Sequence, residues 1–224
     1  MAELHGDGRA ELVLTVDCAS EATGASQWLV HSAEATGFST APTPFTLPSA
    51  PVGDDPPWGR IEAGADCGDG VPGHAMLDLS GDGAPDLVVT RACEDEAVGK
   101  ARWDVYLGGL GGVSTTATPW ALPDLGAGTS YAALEGAAAC RSGRGPGYGL
   151  AHADGDGVLD LIVTEDCGDG TVGAGIWRVY AGSASGGFSA TGGGLGAARV
   201  RDGIVPVLGP LRPRGLLSGG SARV

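Results

Sequence analysis

Asp78-Leu79-Ser80-Gly81-Asp82-Gly83-Ala84-Pro85-Asp86 runs directly into Leu87-Val88-Val89-Thr90. Acids at alternate positions with glycines between them describe a loop that can gather oxygens. The apolar, β-branched run after it describes a strand. Three apolar residues follow one another without alternation, so burial on both faces is expected. The same text recurs at His152-Ala153-Asp154-Gly155-Asp156-Gly157-Val158-Leu159-Asp160, followed by Leu161-Ile162-Val163-Thr164. A worn copy is Glu3-Leu4-His5-Gly6-Asp7-Gly8-Arg9-Ala10-Glu11, followed by Leu12-Val13-Leu14-Thr15. The loops start 75 and 74 residues apart (78 − 3 and 152 − 78). A fixed period of this length marks a repeat architecture.

Other landmarks keep step. Cys18, Cys93 and Cys167 follow the post-loop strands, and Gly24, Gly99 and Gly173 precede Trp28, Trp103 and Trp177. Then come Gly37-Phe38, Gly112-Val113 and Gly187-Phe188, and Pro44-Phe45-Thr46-Leu47-Pro48 matches Pro119-Trp120-Ala121-Leu122-Pro123. In the middle unit the pattern predicts strands at His74–Leu77, Asp86–Arg91, Ala101–Leu107 and around Trp120. Trp103-Asp104-Val105-Tyr106 alternates as a half-exposed strand does. About four short strands per unit, in series, predict an all-β fold of three antiparallel, propeller-like repeats in an open or partial array. The units read as 1–57, 58–130 and 131–191, with a proline-rich linker at Pro48–Pro57. Register is lost after Thr191, where Gly192-Gly193-Gly194-Leu195-Gly196 replaces the expected Trp-x-Leu-Pro. Residues 192–224 therefore read as a divergent Gly/Arg-rich tail without packed structure.

Composition supports this picture. The 224 residues include 42 glycines and only 5% aromatics, which suits tight turns and short strands. Net charge is −14. The segment 187–224 holds five arginines against Asp202, or +4, so residues 1–186 carry −18. An acidic body offers no cationic surface to nucleic acid or anionic membrane. No run of 18 apolar residues occurs, so no membrane span is expected, and Met1–His5 lacks the features of a signal peptide.

A hard cation such as Ca²⁺ takes six to eight oxygens at 2.3–2.6 Å. In the middle loop the expected ligands are the side chains of Asp78, Ser80, Asp82 and Asp86 and the carbonyl of Ala84. In the third they are His152, Asp154, Asp156 and Asp160 and the carbonyl of Val158. Glycines at positions four and six permit the positive φ such a turn needs. In the first loop Glu3, His5, Asp7 and Glu11 are longer or softer donors, so weaker binding is expected there. An EF-hand would require a bidentate acid at position twelve, where Val89 and Val163 stand, and flanking helices. The plain alternative is an acidic glycine-rich hairpin that holds no ion.

The Asp-x-x-Gly-Asp-Gly-x-x-Asp-Leu-Val-Val-Thr pattern, followed by a Gly-Phe-like element, resembles the FG-GAP/VCBS repeat family over residues 3–190. That resemblance implies β-propeller blades similar to those of integrin α-chains, with Ca²⁺ between the first two strands of a blade. It also implies adhesion, recognition or scaffolding outside the cell or in its envelope, with a protein or carbohydrate ligand. Three blades cannot close a ring, so the chain reads as a fragment, an open array or a part completed by self-association.

A hairpin centred near Asp82 brings Cys93 beside Cys67, and its counterpart brings Cys167 beside Cys140. The expected disulfides are Cys67–Cys93 and Cys140–Cys167, leaving Cys18 over. Pairing Cys18–Cys67 with Cys93–Cys140 is the alternative. Disulfides imply an oxidising compartment. No Cys-x-x-Cys, nucleophile elbow, His-Glu-x-x-His or P-loop occurs. Trp28, Trp103, Trp120 and Trp177 read as packing residues, and Trp58 and Tyr131 as the candidates for an exposed ligand face. The function expected is a non-enzymatic, calcium-binding repeat module. The alternatives are a non-catalytic fragment of a secreted polysaccharide-active enzyme, or a truncated remnant.

Overall fold

The computed structural model describes residues 3–5, 7–49, 57–68, 70–126, 129–138 and 145–196. The first unit contributes β1 (Leu12–Leu14), β2 (Gln27–His31), β3 (Ala33–Glu34), β4 (Gly37–Phe38) and β5 (Thr43–Thr46). The second contributes β6 (Gly73–Leu77), β7 (Asp86–Arg91), β8 (Arg102–Tyr106), β9 (Gly108–Gly109), β10 (Gly112–Val113) and β11 (Thr118–Ala121). The third contributes β12 (Gly147–Ala151), β13 (Asp160–Glu165), β14 (Ile176–Tyr180) and β15 (Gly193–Gly196). The fold is all-β, and among the described residues there is no helix, hence none long and apolar enough to cross a membrane.

These strands form three main sheets and one small hairpin, none closed. The second sheet runs β11-β8-β7-β6 and the third β12-β13-β14-β15, all antiparallel. The first runs β1-β2-β5-β10-β9, so its last two strands come from the second unit. Gly112 pairs with Thr46 in the one parallel contact among the named strands. In the third unit, the hairpin closed by the Gly182–Phe188 bridge crosses back in the same way, and the Phe188 N–H donates to the Ala121 carbonyl at 2.9 Å. The Gly-Phe-like element of the second and third units is thus a clasp onto the sheet before it.

The core lies between the sheets. Trp28, Val30, Phe45 and Leu47 of the first sheet pack with Leu87, Val89, Val98 and Val113 of the second unit. Val88, Trp103, Val105 and Trp120 on the other face pack with Leu161, Val163, Tyr180 and Phe188 of the third. Leu87 and Val89 therefore point to one neighbour and Val88 to the other, which is why the run needs no polar alternation. Phe188 meets both Trp103 and Trp120 edge-on, with centroids 5.9 and 6.3 Å apart.

Two expectations change. Trp58 and Tyr131 do not form an exposed ligand face: they are 2% and 0% exposed. Each is a lock between units. The Trp28 indole N–H donates to the Trp58 carbonyl at 2.6 Å, and that of Trp103 to the Tyr131 carbonyl at 2.7 Å. Trp58 Nε1 and Tyr131 Oη then donate to the carbonyls of Pro48 and Pro123. Neighbouring Pro and Gly made these aromatics look loop-borne, but their polar atoms complete the preceding unit.

The second change concerns 192–224. Gly193–Gly196 forms the fourth strand of the third sheet, with Leu195 opposite Trp177 as Trp120 is opposite Trp103. Three of its four residues are glycine, so the missing aromatic hid the strand from a side-chain pattern. Residues 197–224, like 50–56 of the predicted linker, lie outside the described residues.

Cys67 and Cys93 form a disulfide, and Cys18 is free and exposed. This rules out the alternative pairing. The other predicted bridge rests on Cys140, which lies outside the described residues. The Cys67–Cys93 bond points to an oxidising compartment.

Candidate functional site

The three acidic loops lead into β1, β7 and β13, which pair with β2, β8 and β14; β7 and β13 are interior strands and β1 is an edge. Their expected glycines have left-handed φ: 78° at Gly8, 76° and 90° at Gly81 and Gly83, 84° and 93° at Gly155 and Gly157. The middle and third loops lie side by side, since a Cβ on Gly81 would meet the Gly157 carbonyl.

The acid at position nine is buried in every copy: Glu11 is 1% exposed, and Asp86 and Asp160 are 0%. In the middle loop Asp86 Oδ2 accepts the Leu79 and Ser80 amides at 3.0 and 2.9 Å, and Oδ1 accepts the Gly108 amide at 2.8 Å. In the third loop Asp160 accepts Ala153 and Gly182 at 2.7 and 2.9 Å. The carboxylate therefore ties the start of the loop to the start of the clasp. Burial pushes the Asp86 carboxyl above its ordinary range, against the pull of its three amide donors. In the first loop Glu11 Oε2 accepts the Leu4 amide at 2.8 Å, and Oε1 meets His5 Nδ1 at 3.3 Å.

The remaining positions differ from loop to loop. Asp78 accepts three loop amides: Gly81 at 2.7 Å, Asp82 at 3.2 Å and Gly83 at 2.9 Å. Asp82 is exposed and accepts the Ala84 amide at 2.8 Å. Ser80 is 5% exposed, yet its hydroxyl oxygen has no hydrogen-bond partner. In the third loop Asp154 and Asp156 are exposed and accept the amides of Asp156 and Val158. His152 Nδ1 lies 3.0 Å from the Val158 carbonyl.

Among the described residues, one group of three metal-ligating side chains comes together, and it is Glu3, Asp7 and Glu11, with ligand atoms within 4.8 Å of one another. Oxygens on opposite sides of a calcium ion lie up to about 5.2 Å apart, so this spacing fits the ion. Asp78, Asp82 and Asp86 do not gather in that way, although the unpartnered Ser80 hydroxyl is a vacant donor beside them. In the third loop the Val158 carbonyl lies 3.0 Å from His152 Nδ1 and keeps a second lone pair. The extra methylene of Glu3 and Glu11 gives these acids the reach to approach Asp7.

No protein-family model matches this chain, and no curated protein matches it.

Proposed function

We propose that the chain is a calcium-stabilised β-repeat module with a binding, adhesion or scaffolding role, its three sheets being consecutive blades of the FG-GAP/VCBS type. The convergence of Glu3, Asp7 and Glu11 carries this reading, because three carboxylates whose ligand atoms lie within 4.8 Å of one another can share one hard cation. The Ser80 hydroxyl, buried without a partner, supports a second, weaker site at Asp78, Ser80, Asp82 and Asp86. Bound calcium would neutralise the loop acids and fix the turn into the strand, while recognition of a protein or carbohydrate would fall to other surfaces. A disulfide-bearing module of this kind suits an extracellular or envelope setting.

The test is thermal melting of chelator-treated protein during calcium titration. The melting temperature should rise with the logarithm of calcium concentration above Kd, with a gain of about 2.7 kcal/mol at a hundredfold excess over Kd. Glu3→Gln with Asp7→Asn should remove most of the gain, and magnesium should replace calcium poorly. An unchanged melting temperature would sink the proposal.

A further inference from the structure

The fronts of the second and third sheets are each covered by the back of the sheet before. Leu87, Val89 and Val113 on the second front are 0, 6 and 6% exposed, and Leu161, Val163 and Phe188 on the third are 0, 0 and 7%. The residues at the same repeat positions of the first unit are Leu12, Leu14 and Phe38. Leu12 and Phe38 are 39% and 36% exposed, and Leu14 is half-buried. Phe38 sits on the β3–β4 hairpin, whose Gly37 has the φ of 146° found at Gly112 in the docked clasp of the second unit, while Gly187 of the third has 93°.

At the other end the backs tell the complementary story. Trp28 and Trp103 are fully buried beneath the next unit. Trp177, at the same position, is only half-buried, and with Ile162 and Thr164 it lines a cleft of about 320 Å³. The strand that would receive a clasp there is β15, whose only strand partner among the described residues is β14.

We propose that a second copy of this chain joins these two faces, the Gly37–Phe38 hairpin and the Leu12–Leu14 front of one copy docking on Trp177 and β15 of the other. The interface is continuous with one that the chain makes twice within itself. It is heterologous, with front meeting back, and such contacts close into rings or propagate. Two copies bring six sheets, inside the range of four to eight at which β-propellers close. The inference stands on the repeat packing and does not require calcium.

Sedimentation velocity of the full chain tests it, in a Cys18→Ser background because Cys18 is free and exposed. At about 100 μM, well above a micromolar Kd, a dimer is expected. Phe38→Glu and Trp177→Glu should each weaken association at least about tenfold, as loss of a central aromatic anchor does. Leu110→Glu, at a position 85% exposed, should leave it unchanged. An equimolar mixture of the Phe38→Glu and Trp177→Glu chains should recover dimers, since the intact front of one meets the intact back of the other. A monomeric parent chain, association that survives both substitutions, or a mixture no more associated than its components would each overturn the proposal. Far-ultraviolet circular dichroism confirms that the variants remain folded.

Discussion

The indole N–H of Trp103 reaches the carbonyl of Tyr131 at 2.7 Å, joining the third strand of one sheet to the first residues of the next unit. Both residues are fully buried. Trp103→Phe keeps an aromatic ring but leaves that carbonyl without its donor. A loss of about 1–3 kcal/mol is expected from urea denaturation. Trp177→Phe, on the half-buried counterpart, should cost under about 0.5 kcal/mol in the monomer.

The clasps require glycine where they pass the loops. A Cβ on Gly108 would strike the Pro85 carbonyl, and one on Gly182 the Leu159 carbonyl. Gly108→Ala and Gly182→Ala should each destabilise by about 1–3 kcal/mol, as backbone has to move to relieve the overlap. Gly111→Ala, where nothing lies within 4 Å, should be close to neutral. Thermal melts of the three variants check this.

Asp86 gives a pH signature. Its carboxyl is raised above the ordinary 3.8 by burial, so the folded chain holds the proton more tightly than the unfolded one. The stabilisation is fully present below that ordinary value and is lost as pH rises through the raised one. Asp86→Asn removes this dependence. It also turns an amide toward the Gly108 N–H, at a cost of about 1–3 kcal/mol. In chelator, the stability gap between parent and Asp86→Asn should therefore widen from neutral pH toward pH 4. A gap that narrows would contradict the assignment.

The Cys67–Cys93 bond closes a separation of 26 residues. Cys67→Ser with Cys93→Ser should lower stability by about 2–4 kcal/mol in non-reducing buffer. Non-reducing peptide mapping should recover the 67–93 pair and a free Cys18.

Much of this was written in local pattern. Leu87-Val88-Val89 announced a strand buried on both faces, and the β7 boundaries Asp86–Arg91 follow directly from it. Glycines at positions four and six announced left-handed turns, and hairpin geometry placed Cys93 beside Cys67. What was not legible depends on a second sheet. The Gly112–Val113 pair is only a short text until Thr46 stands beside it. Trp58 and Tyr131 sit in turn-like surroundings, and only the indole of the previous unit explains their burial. Gly193–Gly196 carries too little side chain to signal the strand that pairs with β14. The acids of the first loop look weaker letter by letter than those of the second, yet side-chain length lets three of them converge.

The clasps also set an order of events during synthesis. The outer edge of the first sheet is completed by residues 108–113, more than sixty positions after β5 has been made. While the chain is still emerging, Thr46 and Phe45 lack their cover, and the first sheet waits on Val113 as the second waits on Phe188. Folding along such an array advances as a relay, each unit reaching its final state only when the next has been translated.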